Sequence, residues 1–305
     1  MALNQQNNNS ECDYLFIFCS YNRAPQTLLF LRSLIPQIKE LKLSHRICML
    51  DDNSTDATKS LVKEEFPEIE VLNGDGNLFW AGGMREIYKT VSRDILYKHL
   101  VVLNDDIVLK VNALSILLDE YLQLLIECKN KCMLSASFLD SVTLKTSYSG
   151  FRRRKYHPLD FEKVNSVGVP LEVDAINMNL ALIPQKVILE CGFLSDYYQH
   201  SKADIDYSIR VKEKGVRLFV SANSAGYCNA NPSKKIIDIF SPKLGVFNNF
   251  KNPKGISFYE MYYFYSRNGK IGWQLFLILV YIKYIVIFFI TRMLKFINQL
   301  NFLKK

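Results

Sequence analysis

The stretch "HLVVLNDDIVLK", residues 99–110, decides the fold because two acidic side chains directly follow a run of apolar ones. Residues 100–103 have the continuous apolar pattern of a buried strand, and Asn104, Asp105 and Asp106 stand at its end. Neighbouring carboxylates at the end of a buried strand repel each other unless a cation or a proton offsets their charge. We therefore expect this strand to end in a charged functional site.

Apolar runs alternate with helical patterns on both sides of this stretch. In the first half, strands are predicted at residues 14–19, 46–50 and 68–72, and helices at residues 25–38 and 84–95. In the second half, a strand or strand pair is predicted at residues 172–184, a helix at residues 203–215 and a last strand at residues 216–222. This order predicts an α/β fold with a mostly parallel, Rossmann-like sheet flanked by helices.

The character of the sequence changes near each terminus. Residues 1–12 are polar and lack the basic and apolar regions of a secretion signal, so we expect a disordered lead-in and a cytoplasmic protein. Residues 13–232 carry the α/β pattern, and residues 233–305 are predicted to be a linker followed by a membrane-associating helical segment. The seven cysteines lack the paired spacing of a zinc site, which indicates free thiols in a reducing compartment.

Polar side chains follow three of the predicted strands. They are Ser20, Asn22 and Arg23 after the first, Asp51 and Asp52 after the second, and Asn104, Asp105 and Asp106 after the strand of the opening stretch. In open parallel sheets, ligands bind beyond the carboxyl ends of the strands, so these groups are expected to share one crevice. Such crowding of carboxylates favours a hard divalent cation with oxygen ligands, Mg²⁺ or Mn²⁺, shared with a substrate diphosphate.

Each of these features also has an explanation without a ligand. Asp51 and Asp52 suit a turn and a helix cap, and Asp105 and Asp106 suit the cap of a helix that starts near residue 111. Arg23 is expected either to pair with a phosphate or to lie on the surface. Gly82 and Gly83, ahead of the helix predicted at residue 84, either let backbone amides approach a phosphate or allow tight strand–helix packing.

The C-terminal stretch "WQLFLILVYIKYIVIFFIT", residues 273–291, is apolar except for Lys283. A helix of this length, at about 1.5 Å per residue, nearly matches the hydrocarbon core of a bilayer. Part of the net charge of +8 lies here, because residues 267–305 contain basic side chains and no Asp or Glu. The pattern favours an anionic lipid surface over nucleic acid as the partner. The alternative is a buried helix packed on the α/β domain or on a partner subunit.

Six segments resemble, in order, the motifs of the inverting nucleotide-sugar glycosyltransferases of family two, which have a GT-A fold. They are "CSYNR" (19–23), "LDDNSTD" (50–56), "NGDGNLFWAGGM" (73–84), "LNDD" (103–106), "INMNLALIP" (176–184) and "ADIDYSIRVKEKG" (203–215). The third segment is similar to the loop of the rhamnosyltransferase-like branch. The similarity extends over roughly residues 13–230.

The resemblance implies a role for each matched residue. Asp51, with Asp52 beside it, matches the acid that holds the donor nucleoside, and Asp106 matches the metal-binding acid of the DxD motif. Asp105 is in the middle position of that motif, next to the donor sugar or ribose. Asn104 replaces its first Asp, which removes one charge from the metal site. Ser20, Asn22, Arg23, Gly82 and Gly83 are assigned to donor binding.

Asp204 matches the general base that deprotonates the acceptor hydroxyl, with Asp206 as the fallback because Ala203 replaces the usual preceding Glu. The resemblance thus implies a glycosyltransferase of the hexosyl or rhamnosyl type that uses a nucleotide-diphosphate sugar. The apolar tail suggests a lipid-linked glycan acceptor in O-antigen or capsule synthesis at the cytoplasmic face of the inner (plasma) membrane. The tail is expected to hold the protein there peripherally or as a C-terminal anchor.

Three other functions remain open from the residues alone. A dinucleotide oxidoreductase would share the α/β pattern, but the first strand is followed by "SYNR" and not by G-x-G-x-x-G. A nucleotidyltransferase would need a basic phosphate-binding signature near that strand. A membrane-tethered nucleotide-sugar binding protein would need neither the metal nor the base.

Overall fold

The computed structural model of the chain describes residues 10–93, 95–154, 159–165, 168–229, 257–269 and 271–302. The chain divides into two compact units, one of residues 1–154 and 160–230 and one of residues 155–159 and 231–305. This boundary lies close to the predicted one at residue 232. Residues 1–9 of the predicted lead-in and residues 230–256, around the start of the predicted tail, fall outside the described residues.

A mixed sheet of ten strands forms the centre of the first unit. Its strands are β1 (Ser10–Ser20), β2 (His45–Asp51), β3 (Glu70–Asn73), β4 (Ile95–Leu103), β5 (Val108–Leu109), β6 (Cys132–Leu139), β7 (Thr146–Tyr148), β10 (Leu171–Val173), β11 (Leu180–Pro184) and β12 (Arg217–Tyr227). Eight of them lie side by side in the order β10-β12-β6-β11-β4-β1-β2-β3, while β5 pairs with β12 and β7 with β6. A second sheet contains only β8 (Phe151–Arg153) and β9 (Phe161–Lys163).

Six helices of the first unit connect these strands. They are α1 (Ala24–Glu40), α2 (Thr58–Glu65), α3 (Phe79–Val91), α4 (Ala113–Glu127), α5 (Gln185–Cys191) and α6 (Ala203–Glu213). Pro25 lies in the first turn of α1, where its missing N–H costs no hydrogen bond. Gly215 has a φ of +80° just beyond α6, a backbone conformation that glycine adopts without strain. The predicted α/β fold with a mostly parallel sheet is confirmed.

The strand directions bring several chain segments to one edge of the sheet. Strands β1, β2, β3 and β4 run parallel, whereas β11 runs antiparallel to its neighbours β4 and β6. Leu180 at the start of β11 therefore pairs with Leu103 at the end of β4. We call the edge that contains the ends of β1, β2 and β4 (Ser20, Asp51, Leu103) and the start of β11 (Leu180) the carboxyl edge.

The central strands are buried because helices cover both faces of the sheet. Residues 15–18 of β1 and residues 100–103 of β4 are fully buried, which explains why their apolar patterns are continuous and do not alternate. Strand β1 begins at Ser10, so the predicted disordered lead-in is wrong over residues 10–12. Ser10, Glu11 and Cys12 pair with Ile95, Leu96 and Tyr97 of β4, and this backbone pairing orders them despite their polar neighbours.

Helix α3 begins at Phe79, five residues before the predicted start at residue 84. The carboxylate of Asp52 accepts hydrogen bonds from the amides of Gly76 (2.9 Å), Leu78 (3.1 Å) and Phe79 (3.2 Å), so a side chain from another strand's end organises the loop and the start of this helix. Gly82 and Gly83 therefore lie inside α3 and not ahead of it. A Cβ on Gly83 would lie 3.1 Å from Cβ of Cys19, which favours the packing interpretation of this glycine.

The described part of the second unit contains two antiparallel helices, α7 (Phe258–Asn268) and α8 (Trp273–Phe302). The Phe258 ring lies 5.4 Å from that of Tyr281, and the Tyr262 ring lies 5.4 Å from that of Trp273. Residues 273–290 of α8 are long and apolar enough to cross a membrane by length and composition, and 11% of this segment is buried. The exposed apolar side chains of α8, which we call its apolar stripe, are Leu275, Ile278, Leu279, Ile282, Ile285, Val286, Phe289, Ile290 and Met293.

The two glycines of α3 form a matched pair for testing the packing interpretation. We expect Gly82→Ala to stabilise the protein by about 0.5–1 kcal/mol, because alanine favours the helix and its methyl group would meet ordinary contacts of 3.5 Å or more. Gly83→Ala is expected to destabilise it by about 1–2 kcal/mol, because the methyl group would press on Cys19. Urea unfolding midpoints measure both, and equal stabilisation by the two substitutions would contradict the packing of α3 on β1.

Candidate active site

The two carboxylates after β4 face an arginine from the segment after β1. Nη1 of Arg23 donates to Oδ1 of Asp105 at 3.0 Å and to Oδ2 of Asp106 at 2.9 Å. Helix α4 begins at Ala113 without a side-chain cap, so the interpretation of Asp105 and Asp106 as its caps is wrong. Arg23 is therefore not an isolated surface residue, because the acidic pair holds its guanidinium.

Asp105 is the more enclosed member of the pair. Burial raises the pKa of its carboxyl group, the positive charge of Arg23 lowers it, and the charge of Asp106 raises it again. Oγ1 of Thr27 lies 3.5 Å from Asp105 and 2.9 Å from Oγ of Ser20. Ser20 thus belongs to a buried polar cluster that supports Asp105.

The two acids after β2 have different environments. Oδ2 of Asp51 accepts a hydrogen bond from the amide of Ser54 at 3.0 Å, whereas its Oδ1 is buried and has no hydrogen-bond partner. Asp52 is bonded to three amides of the segment 76–79, so both of its oxygens already have partners in the loop before α3. Asp51 is therefore the member of the pair with an unused acceptor at the carboxyl edge.

Asn22 joins the segments that follow β1 and β2. Its backbone, at a φ of +51°, donates an N–H to Oγ of Ser54 at 2.9 Å. Its side-chain oxygen accepts from the amide of Thr55 at 2.7 Å and from that of Asp56 at 3.3 Å. Asn22 fixes the shape of the crevice, since these bonds hold together the two loops that carry Arg23 and Asp51.

Asn104 and Cys228 complete the surroundings of Asp106. The amide of Asn104 donates to the carbonyl of Asn179 at 2.8 Å, and its side-chain oxygen is buried without a hydrogen-bond partner. Sγ of Cys228, just beyond β12, lies 3.6 Å from Oδ1 of Asp106 and 3.4 Å from Nδ2 of Asn179. Cys228 is not predicted as a site residue, because the course of β12 and its pairing with β5 bring residue 228 back to Asp106.

Asp204 reaches the carboxyl edge from the first turn of α6. Its Oδ2 accepts a hydrogen bond from Nδ2 of Asn177 at 3.3 Å, and Asn177 lies three residues before the start of β11. Burial raises the pKa of Asp204, while the bond from Asn177 lowers it. Asn177 has a signal in the sequence, since it lies in "INMNLALIP", but a polar residue between apolar ones does not reveal which acid it contacts.

Asp206 has a structural environment. It is fully buried, accepts from Nε of Arg210 at 2.9 Å and from the Tyr198 hydroxyl at 3.1 Å, and thereby ties α6 to neighbouring segments. Both oxygens of Asp204 also accept hydrogen bonds, from Ile205 and Asn177, but Asp204 is partly exposed, whereas a carboxylate with no exposed surface cannot contact an acceptor hydroxyl. The geometry therefore favours Asp204 over the fallback Asp206.

The carboxyl edge brings together the predicted residues Asp51, Asp106 and Asp204. Strands β2 and β11 are three positions apart in the sheet, which corresponds to about 14 Å at about 4.8 Å per strand. Among the described residues, no three His, Cys, Asp or Glu side chains are grouped so that they could hold a metal ion. A divalent cation on Asp106 would therefore take its other ligands from a bound anion and from water, which suits Mg²⁺ or Mn²⁺.

Comparison with known proteins identifies the segment that builds most of this edge. Residues 16–124 match the family model described as Glycosyl transferase family 2. Residues 16–124 are thus similar to glycosyltransferase family 2 domains. The matched segment contains Arg23, Asp51 and Asp106, whereas Asp204 lies beyond it. No curated protein matches the sequence.

A solved structure of a glycosyltransferase shares the fold at low sequence identity. The chain is similar to GalNAc-T7, solved with UDP, GalNAc and Mn²⁺, at 13% identity and a TM-score of 0.55, over 86% of this chain and 52% of that one. It thus spans about half of that protein. A second similar structure is the mannosyltransferase PcManGT from Pyrobaculum calidifontis with GDP-Man and Mn²⁺, at 14% identity and a TM-score of 0.49, over 76% of this chain and 61% of that one. The fold is GT-A-like.

The two acids of α6 should respond differently to substitution. We expect Asp206→Ala to lower the free energy of unfolding by about 3–5 kcal/mol, because it leaves the nearly buried Arg210 without its counter-ion. Asp204→Asn should change it by less than about 1 kcal/mol, since the amide is isosteric and the position is only half-buried. Denaturant unfolding of the full chain measures both. A larger loss for Asp204→Asn would contradict the assigned environments.

Proposed function

We propose that the protein is an inverting glycosyltransferase that moves a sugar from a nucleotide-diphosphate donor to a hydroxyl group of a glycan acceptor. The observation that carries the proposal is the family 2 match over residues 16–124, because this segment supplies Arg23, Asp51 and Asp106 to one edge of the sheet. The likeness to GalNAc-T7, solved with UDP and Mn²⁺, supports a nucleotide donor and a divalent metal. The similarity of "NGDGNLFWAGGM" to the rhamnosyltransferase-like branch favours a hexosyl or rhamnosyl donor.

The donor would lie across the ends of β2, β1 and β4. The unpaired Oδ1 of Asp51 is a buried acceptor for a hydroxyl or N–H of the nucleoside. Asp106 would hold Mg²⁺ or Mn²⁺, which offsets the charge of the departing diphosphate when bound. Asp105 lies beside Asp106 and is within reach of the donor sugar or ribose, while Asn22 and Asp52 keep the surrounding loops in place.

The acceptor would be activated by Asp204. Inversion needs a hydroxyl that attacks the anomeric carbon from the face opposite the leaving group, and a nearby carboxylate that takes its proton. The raised pKa of Asp204 makes its carboxylate a better base than an exposed one. The hydrogen bond from Asn177 orients Oδ2, which leaves Asp204 with a fixed geometry at the carboxyl edge.

The acceptor is proposed to be lipid-linked, in the synthesis of a surface polysaccharide such as O-antigen or capsule. The support is the exposed apolar stripe of helix α8. Helix α7 packs against Trp273 and Tyr281 of α8, and the residues of the stripe stay exposed. Basic residues and the absence of acids after residue 267 suit the anionic cytoplasmic leaflet. We propose that the protein acts at the cytoplasmic face of the inner (plasma) membrane.

Donor turnover by the purified full chain tests the proposed function. With Mn²⁺ and a panel of UDP-, GDP-, dTDP-, CDP- and ADP-sugars, release of the nucleoside diphosphate should be seen with one donor. Asp106→Ala and Asp204→Asn should each reduce the rate at least about 100-fold, because one removes the metal ligand and the other the base. The matched control is Glu190→Gln, which breaks only the surface pair with Lys131.

The two substitutions should differ in binding. Asp204→Asn is expected to retain thermal stabilisation by the nucleotide with Mn²⁺, and Asp106→Ala to lose its Mn²⁺-dependent part. Wild-type turnover in both variants would rule out the assigned site. Binding of a donor without turnover, unaffected by a chelator, would instead support a nucleotide-sugar binding protein.

Flotation with liposomes tests the membrane proposal. The full chain should float with vesicles that contain about 30% anionic phospholipid, since α8 offers both an apolar stripe and a basic end. Replacing Leu275, Ile282 and Phe289 of the stripe with Ser should reduce the bound fraction at least fivefold. Ser substitutions of Leu29, Leu96 and Leu189, exposed leucines of the first unit, provide the control. Equal flotation of both triple variants would contradict the role of α8.

A further inference from the structure

A cation from the protein itself already bridges the acidic pair at the end of β4. Both ion pairs use the same nitrogen, Nη1 of Arg23, at 3.0 Å from Asp105 and 2.9 Å from Asp106. This nitrogen therefore lies between the two carboxylates, and Oδ2 of Asp106 accepts its hydrogen bond. The other oxygen of Asp106 contacts the thiol of Cys228. A divalent ion that approaches Asp106 meets an oxygen bonded to a positive charge and an oxygen against a thiol.

The charge of this cluster is incompletely balanced. Asp105 and Asp106 carry two negative charges, and Arg23 is the positively charged group that contacts both. The Cys228 thiol against the other oxygen of Asp106 supplies no positive charge. One positive charge thus faces two negative ones, and a divalent cation in place of the Arg23 guanidinium would balance both carboxylates.

Arg23 is the most exposed of the three charged residues in the cluster. Its side chain is 43% exposed, compared with 7% for Asp105 and 28% for Asp106. Its backbone is fixed, because its amide donates to Oγ1 of Thr58 at 3.1 Å and it stands directly before α1. Rotation of the side chain therefore releases the carboxylates without disturbing the fold.

We propose that Arg23 is an internal counter-cation that keeps a bare divalent ion off Asp106, and that its guanidinium transfers to the donor's diphosphate when ion and donor bind together. The inference rests on the proposed function. A monovalent and a divalent cation at one carboxylate repel each other, so the ion alone binds weakly. Arginine forms strong, bidentate hydrogen bonds to phosphate oxygens, which compensates for its loss of two carboxylate partners.

This arrangement makes metal and nucleotide binding mutually dependent. The diphosphate lowers the cost of displacing Arg23, so it raises the affinity for the ion, and by linkage the ion raises the affinity for the nucleotide by the same factor. Arg23 is a positioning residue in the free protein and a diphosphate ligand in the complex. Without Arg23, the ion should bind the acidic pair directly and gain less from the nucleotide.

Mn²⁺ binding to Arg23→Gln tests this inference. Electron paramagnetic resonance of free Mn²⁺ gives the Kd of the full chain, with and without saturating UDP or GDP. Without nucleotide, the Kd of Arg23→Gln should fall at least tenfold below that of the wild type. The factor by which the nucleotide tightens Mn²⁺ binding should shrink at least fivefold. The double variant Arg23→Gln with Asp106→Asn should lose the tighter Mn²⁺ binding that Arg23→Gln shows without nucleotide.

Two further variants serve as controls. Arg32→Gln removes the same charge from an exposed pair, in which Arg32 holds Glu65 at 2.7 Å, and should leave the Mn²⁺ affinity unchanged. Arg23→Lys keeps a positive charge near the carboxylates, so its Kd should lie between those of the wild type and Arg23→Gln. This variant also provides the comparison if Arg23→Gln does not fold.

An unchanged or higher Mn²⁺ Kd in Arg23→Gln without nucleotide would overturn the inference, as would an equal gain in Arg32→Gln. Its failure is distinguishable from failure of the proposed function. If a donor is turned over with Mn²⁺ but the Kd of Arg23→Gln is unchanged, only the role of Arg23 is wrong. If the Kd falls as expected but no nucleotide sugar is turned over, the acidic pair binds cations and the transferase proposal is wrong.

Discussion

The contact of Arg23 with Asp105 and Asp106 is the interaction on which the rest of the active-site account depends. Because β1, β2 and β4 run parallel, several acidic side chains lie at one edge of the sheet. The repulsion between these carboxylates has to be offset in the free protein. Arg23 offsets part of it through one nitrogen shared between two carboxylates. The negative charge of the acidic pair is thus only partly neutralised in the free protein. Our proposal is that a divalent ion and a diphosphate bind together at this pair.

The remaining residues of the edge divide into those that hold its shape and those that retain an unused group. Asp52 and Asn22 accept hydrogen bonds from backbone amides and thereby determine where the loops after β2 and β3 lie. Asp51 and Asn104 each keep a buried oxygen without a partner. Buried polar atoms of this kind are costly unless a ligand or water satisfies them, which is why they mark the surface that the donor would cover.

The sequence predicts strands β1 to β4, β11 and β12, the helix α6 and the edge at which the acids gather, because continuous apolar runs, first-turn acids and a terminal glycine act locally. It does not predict β5 to β9. It does not predict the start of α3, since a segment with four glycines reads as a loop until the carboxylate of Asp52 is known to bind its amides. Nor does it predict the partner of Asp105 and Asp106, which is 82 residues away from Asp105 in the chain. The contact of Cys228 with Asp106, 122 residues apart, depends on the course of β12 in the same way.

The most direct test of this account is a crystal structure of the full chain with Mn²⁺ and the nucleoside diphosphate that stabilises it most. The account predicts an anomalous Mn²⁺ peak within about 2.0–2.3 Å of a carboxylate oxygen of Asp106, a distance typical of octahedral oxygen ligation. It also predicts that Arg23 contacts the diphosphate and no longer Asp105, with the nucleoside against Asp51. A Mn²⁺ ion bound away from Asp106, or a nucleotide bound away from the carboxyl edge, would contradict it.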